Sequence, residues 1–189
     1  HTAFAGALGA GVVMGSFWGL GAIYALAQTN DPSFVPAFIA ANIIGGALAQ
    51  YPIGMASDRI DRRYVLAALC AASSLSAFGL VLAESPETLL LGSFAFGAFA
   101  NSLYAVSLAK AADNSKREEF VTIGSSVLLL NALGSASSAL VIGWAMRSMG
   151  DGALFTFIGI ASLVTGVFII LQPPGRTAVT TEEQGAFIP

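Results

Sequence analysis

Charged residues cut this chain into long apolar runs. Stretches without an Asp, Glu, Lys or Arg at roughly 3–28, 34–55, 64–83, 89–109, 120–146 and 153–171 alternate with short polar segments. A helix that crosses the hydrocarbon core of a bilayer needs about 20 apolar residues, and each run has the length for one. A membrane-spanning strand would need only about 10 residues and would alternate in polarity. These runs do not alternate, so the pattern predicts six transmembrane helices. The connectors carry turn chemistry: "TNDPS" at 29–33, "ESPET" at 84–88 and "GDG" at 150–152. After residue 171 two prolines stop the last helix, and the polar remainder of 172–189 is expected to be a disordered tail. The fold class expected is all-α, a polytopic membrane protein with a six-helix bundle over 1–171.

Composition strengthens this reading. The chain of 189 residues is 56% hydrophobic and 10% charged, against roughly a quarter charged in an average soluble domain. The net charge of −3 comes from acids in loops and tail, which gives no reason to expect a nucleic-acid partner. Cys70 is the sole cysteine and His1 the sole histidine, so neither a disulfide framework nor a metal site is expected. A catalytic nucleophile would need a histidine or a buried acid beside it, and no glycine-rich phosphate loop follows a strand. No enzyme activity, catalytic residue, cofactor or metal is expected. The chain does not begin with Met and has no signal-peptide pattern; it reads as a fragment or a processed chain.

Orientation follows from Lys and Arg, which gather on the cytoplasmic side of membrane proteins. Arg59, Arg62, Arg63, Lys110, Lys116, Arg117 and Arg176 fall on one side of the predicted bundle and Arg147 alone on the other. The seven-residue side is expected to be cytoplasmic. With an even number of spans both termini lie there, in a multi-pass protein of the inner (plasma) membrane.

Inside lipid, helices associate by close backbone approach through small residues. The first span places Ala3, Ala7, Gly11, Gly15 and Gly19 on one stripe. The second repeats the device with Ala37, Ala41, Gly45 and Ala49, and the fifth has Ser135, Ala139 and Gly143 in register with Asn131. These stripes predict helix packing within one bundle, in preference to a dimer face. No span contains a charge. The polar groups available for a solute path are Trp18, Tyr24, Asn42, Asn101, Tyr104 and Asn131, with Gln50 nearer the loop. Asn101 and Tyr104, three apart, share a helix face. Interhelical hydrogen bonding is the commoner use of such residues. Trp144 reads as an interface anchor, and Lys110 as a snorkelling cation at a span end.

The remaining anomaly is "QYPIGMASDRIDRRYVL" at 50–66, where five charges sit within six residues. Gly54 is expected to let two helix ends approach, and Asp58 to accept from helix N-terminal N–H groups or from an Arg. The spacing Gly-x-x-x-Asp-Arg-x-x-Arg-Arg resembles the signature loop of the major facilitator superfamily, G-x-L-A-D-R-x-G-R-R. Gly54, Asp58, Arg59, Arg62 and Arg63 match, while Ala56, Ser57 and Asp61 depart. The missing glycine at Asp61 resembles the degenerate copy in the second half of these carriers. "GSFWGLGAIYA" at 15–25 resembles their seventh span, and 101–135 resembles the tenth-to-eleventh-span region of a bacterial subgroup. The resemblance implies one half of a major facilitator fold, built of two inverted three-helix repeats. It implies that Asp58 and Arg59 form a latch on a neighbouring helix end, supported by Arg62 and Arg63. It further implies a C-terminal half of a secondary transporter moving a small solute by alternating access. The partners expected are the lipid bilayer and either a second six-helix half or a larger membrane complex. In the latter case the chain would be a transport-inactive accessory subunit.

Overall fold

In hydrocarbon no water is present to satisfy the backbone, so a spanning segment closes its hydrogen bonds within itself as a helix. The computed structural model describes residues 2–113 and 120–172. Six helices account for nearly all of them: α1 (Thr2–Thr29), α2 (Phe34–Arg59), α3 (Arg62–Val81), α4 (Pro86–Asp113), α5 (Phe120–Met149) and α6 (Ala153–Leu171). All six are long and apolar enough to cross a membrane. The expected helix starts and ends hold within a few residues, with one instructive exception. α2 does not leave the bundle at Gly54 but runs on through Asp58 to Arg59, and the Ile60 N–H still bonds the Ala56 carbonyl at 2.9 Å. The connector to α3 is thus only Ile60 and Asp61. The expected tail lies, from residue 173, outside the described residues.

The turns show why the polar punctuation stops the helices. Asn30 takes φ 53° after α1, a left-handed conformation that Asn tolerates better than most side chains. The Asp31 carboxylate then accepts from the Ser33 N–H and hydroxyl at 2.8 and 2.7 Å. Gly150 takes φ 92° after α5, where the lack of a Cβ removes the strain.

The helices pair as α1 with α5, α2 with α4, and α3 with α6, with α1 and α4 also crossing each other. Exchanging α1 for α4, α2 for α5 and α3 for α6 maps this set of pairings onto itself. Because two helices lie between the members of each exchanged pair, and successive spans alternate in direction, they run in opposite directions. The chain is therefore two inverted three-helix repeats, interlocked so that each repeat's first helix packs on the other's second.

The small-residue stripes lie in these pairings. A Cβ on Gly11 would overlap the Asn131 carbonyl, and one on Gly15 would overlap Ser135. Gly19 faces the Ala139 Cβ at an ordinary 3.6 Å from where its own Cβ would be. On the other pairing, Gly45 sits against the Phe94 carbonyl and Gly97 against that of Asn42. Asn131 Nδ2 donates to the Ala7 carbonyl at 3.2 Å and Ser135 Oγ to that of Gly11 at 3.0 Å, so polar groups bind the same seam.

Away from the loop of charges, Phe17, Tyr24, Phe38, Phe96 and Phe155 from four different helices form one buried aromatic cluster, Tyr24 and Phe155 edge-on at 4.7 Å. At the opposite end Thr2 Oγ1 donates to Gln172 Oε1 at 2.8 Å. The two ends of the described bundle therefore meet on the face that carries the α2–α3 connector.

Candidate functional site

Three helix ends and one connector bring the charges of 58–63 into a network. Arg62, in the first turn of α3, donates from Nη2 to Asp58 at 2.9 Å and from Nη1 to Asp113 at the end of α4 at 3.0 Å. Its Nε reaches the Ser57 carbonyl at 3.4 Å. Arg62 is thus the hub joining α2, α3 and α4. Asp61 is the N-cap of α3, accepting from the Arg63 N–H at 2.9 Å, where a short acceptor satisfies a helix-terminal donor. It also pairs with Lys110 Nζ at 3.0 Å. The Arg63 N–H bond and, secondarily, Lys110 hold the Asp61 carboxyl below its ordinary range. Its contribution to stability is therefore complete at neutral pH and is lost only as pH falls through that lowered value.

Arg63 turns away from these carboxylates. Its guanidinium is buried between α3 and α6, donating from Nε to the Ile169 carbonyl at 3.1 Å and from Nη2 to the Ile170 carbonyl. These are among the last carbonyls of α6, which lack intrahelical partners and form the negative end of the helix dipole. The Tyr64 ring lies 5.8 Å from the Arg63 guanidinium carbon.

The expected latch residues therefore separate. Asp58, Arg62 and Arg63 engage, but Asp58 meets an Arg and not a helix N-terminus; that capping falls to Asp61, the residue that replaces the signature glycine. Asp58 keeps 72% of its side-chain surface exposed. Arg59 is exposed and has no side-chain partner among the described residues. Nothing lies within 4 Å of where a Gly54 Cβ would be. Gly54 opens a groove of about 220 Å³ between α2 and α4, which Gln50, Asp58, Arg62 and Ser102 also line. The Ser102 hydroxyl there has no hydrogen-bond partner among the described residues.

The residues expected along a solute path are not brought to one surface. Tyr24 is buried, its hydroxyl donating to the Leu80 carbonyl at 2.7 Å. Asn42 is fully buried where α2 crosses α4, and Asn101 Nδ2 donates to both its carbonyl oxygens at 3.3 Å. Asn131 is held by α1. Tyr104, half-buried, packs against two apolar clusters, one around Leu66 and Leu103 and the other around Ala7 and Val127. Trp18 alone stands open, 53% exposed and edge-on to Phe17 at 5.5 Å. Asp113 and the pairing of Asp61 with Lys110 had no signal in the local sequence, because both depend on the end of α4 lying beside the start of α3.

Six apolar helices in two inverted repeats, with a charge network bridging helix ends on one face, are the architecture of a multi-pass membrane protein. The sequence profile of the Major Facilitator Superfamily matches residues 4–188, and the chain belongs to that superfamily. It is 25% identical over 170 residues to an uncharacterized MFS-type transporter of Yersinia pestis (strain Pestoides F), covering 89% of this chain and 43% of that protein. It is likewise 25% identical over 174 residues to an uncharacterized MFS-type transporter YcaD of Salmonella paratyphi B, covering 91% of this chain and 44% of that one. The chain spans less than half the length of the curated relatives it matches.

Proposed function

We propose that this chain is the C-terminal half of a secondary transporter of the inner membrane, moving a small solute by alternating access against a second six-helix half. The observation that carries this reading is the interlocked pair of inverted repeats in a chain of the major facilitator superfamily, since such repeats make each half a rigid body that can rock on its partner. The largely exposed Asp58, beside the open α2–α4 groove, supports a contact with that partner on this face. Without one, an exposed i,i+4 pair with Arg62 contributes only about 0.3–0.5 kcal/mol. Asp58→Asn in the complete carrier is expected to slow solute uptake several-fold while leaving insertion and unfolding temperature unchanged. Unaltered uptake would remove Asp58 from the transport cycle. Purification of the chain in a large multi-subunit complex without uptake would favour an accessory role instead.

The seven-to-one distribution of Lys and Arg supports a cytoplasmic position for the charged face and for both termini. With the native Cys70 replaced by Ala, a Ser33→Cys variant is expected to react with a membrane-impermeant maleimide from outside and a Ser115→Cys variant only after the cells are opened. The reverse result would invert the topology.

A further inference from the structure

The end of the bundle opposite the charge network carries its own groove. It measures about 510 Å³, lies between α1 and α5, and is lined by Leu20, Ile23, Gly143, Met146, Arg147 and Asp151. Its floor is apolar and its charges are two, of opposite sign. Arg147 donates from Nε to the Gly143 carbonyl at 3.2 Å, and its outer nitrogens meet no acceptor among the described residues. Asp151, in the turn before α6, bonds the Leu154 N–H through its main-chain carbonyl at 3.2 Å. Its carboxylate has no hydrogen bond or ion pair among the described residues. The three ion pairs among the described residues all lie at the other end. A cation and an anion that line one groove without pairing present two separate recognition points. A simple anion placed there would be opposed by Asp151, and a simple cation by Arg147. Gly143 keeps the groove open, for a Cβ there would meet nothing within 4 Å.

We propose that this groove binds a small zwitterion with an apolar body, its carboxylate on Arg147, its ammonium on Asp151, and its body against Leu20, Ile23 and Met146. As the outer entry site of a carrier, the groove rests on the transport reading above; binding itself can be measured without transport. Thermal unfolding of the purified chain in lipid nanodiscs tests it with three probes of one shape: L-leucine, isocaproate, which lacks the ammonium, and isoamylamine, which lacks the carboxylate. At ~10 mM L-leucine is expected to raise the unfolding midpoint by about 2 °C, and each singly charged probe by clearly less. Arg147→Gln should erase the preference for leucine over isoamylamine, and Asp151→Asn the preference over isocaproate. Gly143→Leu extends an apolar side chain into the groove from a position where its Cβ meets nothing within 4 Å, and should abolish the response to all three. The proposal is overturned if leucine shifts nothing, if the three probes act equally, or if the shift survives Gly143→Leu. Saturable uptake of another solute without leucine stabilisation would sink the groove and spare the carrier. Leucine stabilisation without any uptake by the complete carrier would do the reverse.

Discussion

Gly45→Ala lowers the unfolding temperature of the bundle, whereas Gly54→Ala, nine residues along the same helix, leaves it unchanged or slightly raised. Both are helical glycines in α2, so helix propensity favours Ala at each, by about 0.5–1 kcal/mol. What differs is the neighbour. A methyl group at Gly45 would overlap the Phe94 carbonyl oxygen and stand 3.2 Å from the Ala98 nitrogen. Both are backbone atoms of α4 and have no rotamer to yield, so the two helices must part along the whole seam. Overpacking of this kind costs typically 1–3 kcal/mol, occasionally more, which corresponds to a midpoint shift on the order of 5 °C. The crossing also holds Asn42, Ser93 and Asn101, whose bonds to opposing carbonyls lengthen when the helices separate. Gly11→Ala should behave like Gly45→Ala, because it meets the Asn131 carbonyl. Gly19→Ala should not, because Ala139 leaves ordinary contact distance. Thermal unfolding in mild detergent checks the series. Equal midpoints for Gly45→Ala, Gly11→Ala and the parent would show that the stripes do not carry the packing.

These contrasts also show what the sequence could disclose. The spans were legible because a charge is costly in hydrocarbon, so uncharged runs mark depth directly. The stripes were legible because i,i+4 spacing fixes a helix face, but that the α1 stripe meets the α5 one, Gly11 on Asn131 and Gly15 on Ser135, is set by the tertiary fold and not by that spacing. The end of α2 was not: the motif from Gly54 reads as a loop, but a helix can continue into the headgroup region wherever its final carbonyls find donors or water. The roles of Tyr24, Asn42 and Asn101 were not legible either. Whether a polar side chain meets a solute path or a neighbour's carbonyl depends on rotation of its helix about its own axis, and mixed apolar faces leave that rotation undetermined. The aromatic cluster joins Phe17, Phe38, Phe96 and Phe155 across chain distances that no local pattern reports. Arg63 illustrates the limit most sharply. It stood in the signature as one more cytoplasmic arginine, and only the tertiary arrangement puts the end of α6 within its reach.

Arg63→Gln should loosen one helix pair far more than any other change in the charged connector. The Arg63 side chain crosses from the first turn of α3 to the final carbonyls of α6 and is almost wholly buried. Hydrogen bonds from a charged donor contribute about 1.5–3 kcal/mol, and a cation at a helix C-terminus about 0.3–1 kcal/mol more. Glutamine is shorter and neutral, so it forfeits both contributions and leaves the Ile169 and Ile170 carbonyls to whatever water enters. Asp58→Asn, by contrast, removes one arm of an exposed pair. The α3–α6 contact contains its own reporter. Cys70 is the chain's only cysteine, is 1% exposed, and lies so close to α6 that a Cβ on Gly166 would stand 2.9 Å from its own Cβ. Separation of α3 from α6 admits a thiol reagent to a group that the parent shields. The expected result is a lower unfolding midpoint together with maleimide labelling of Cys70 at least several-fold faster in Arg63→Gln, and neither change in Asp58→Asn. A fall in midpoint without faster labelling would place the damage elsewhere in the bundle. Unchanged labelling and midpoint in Arg63→Gln would mean that the guanidinium does not hold α6 in place.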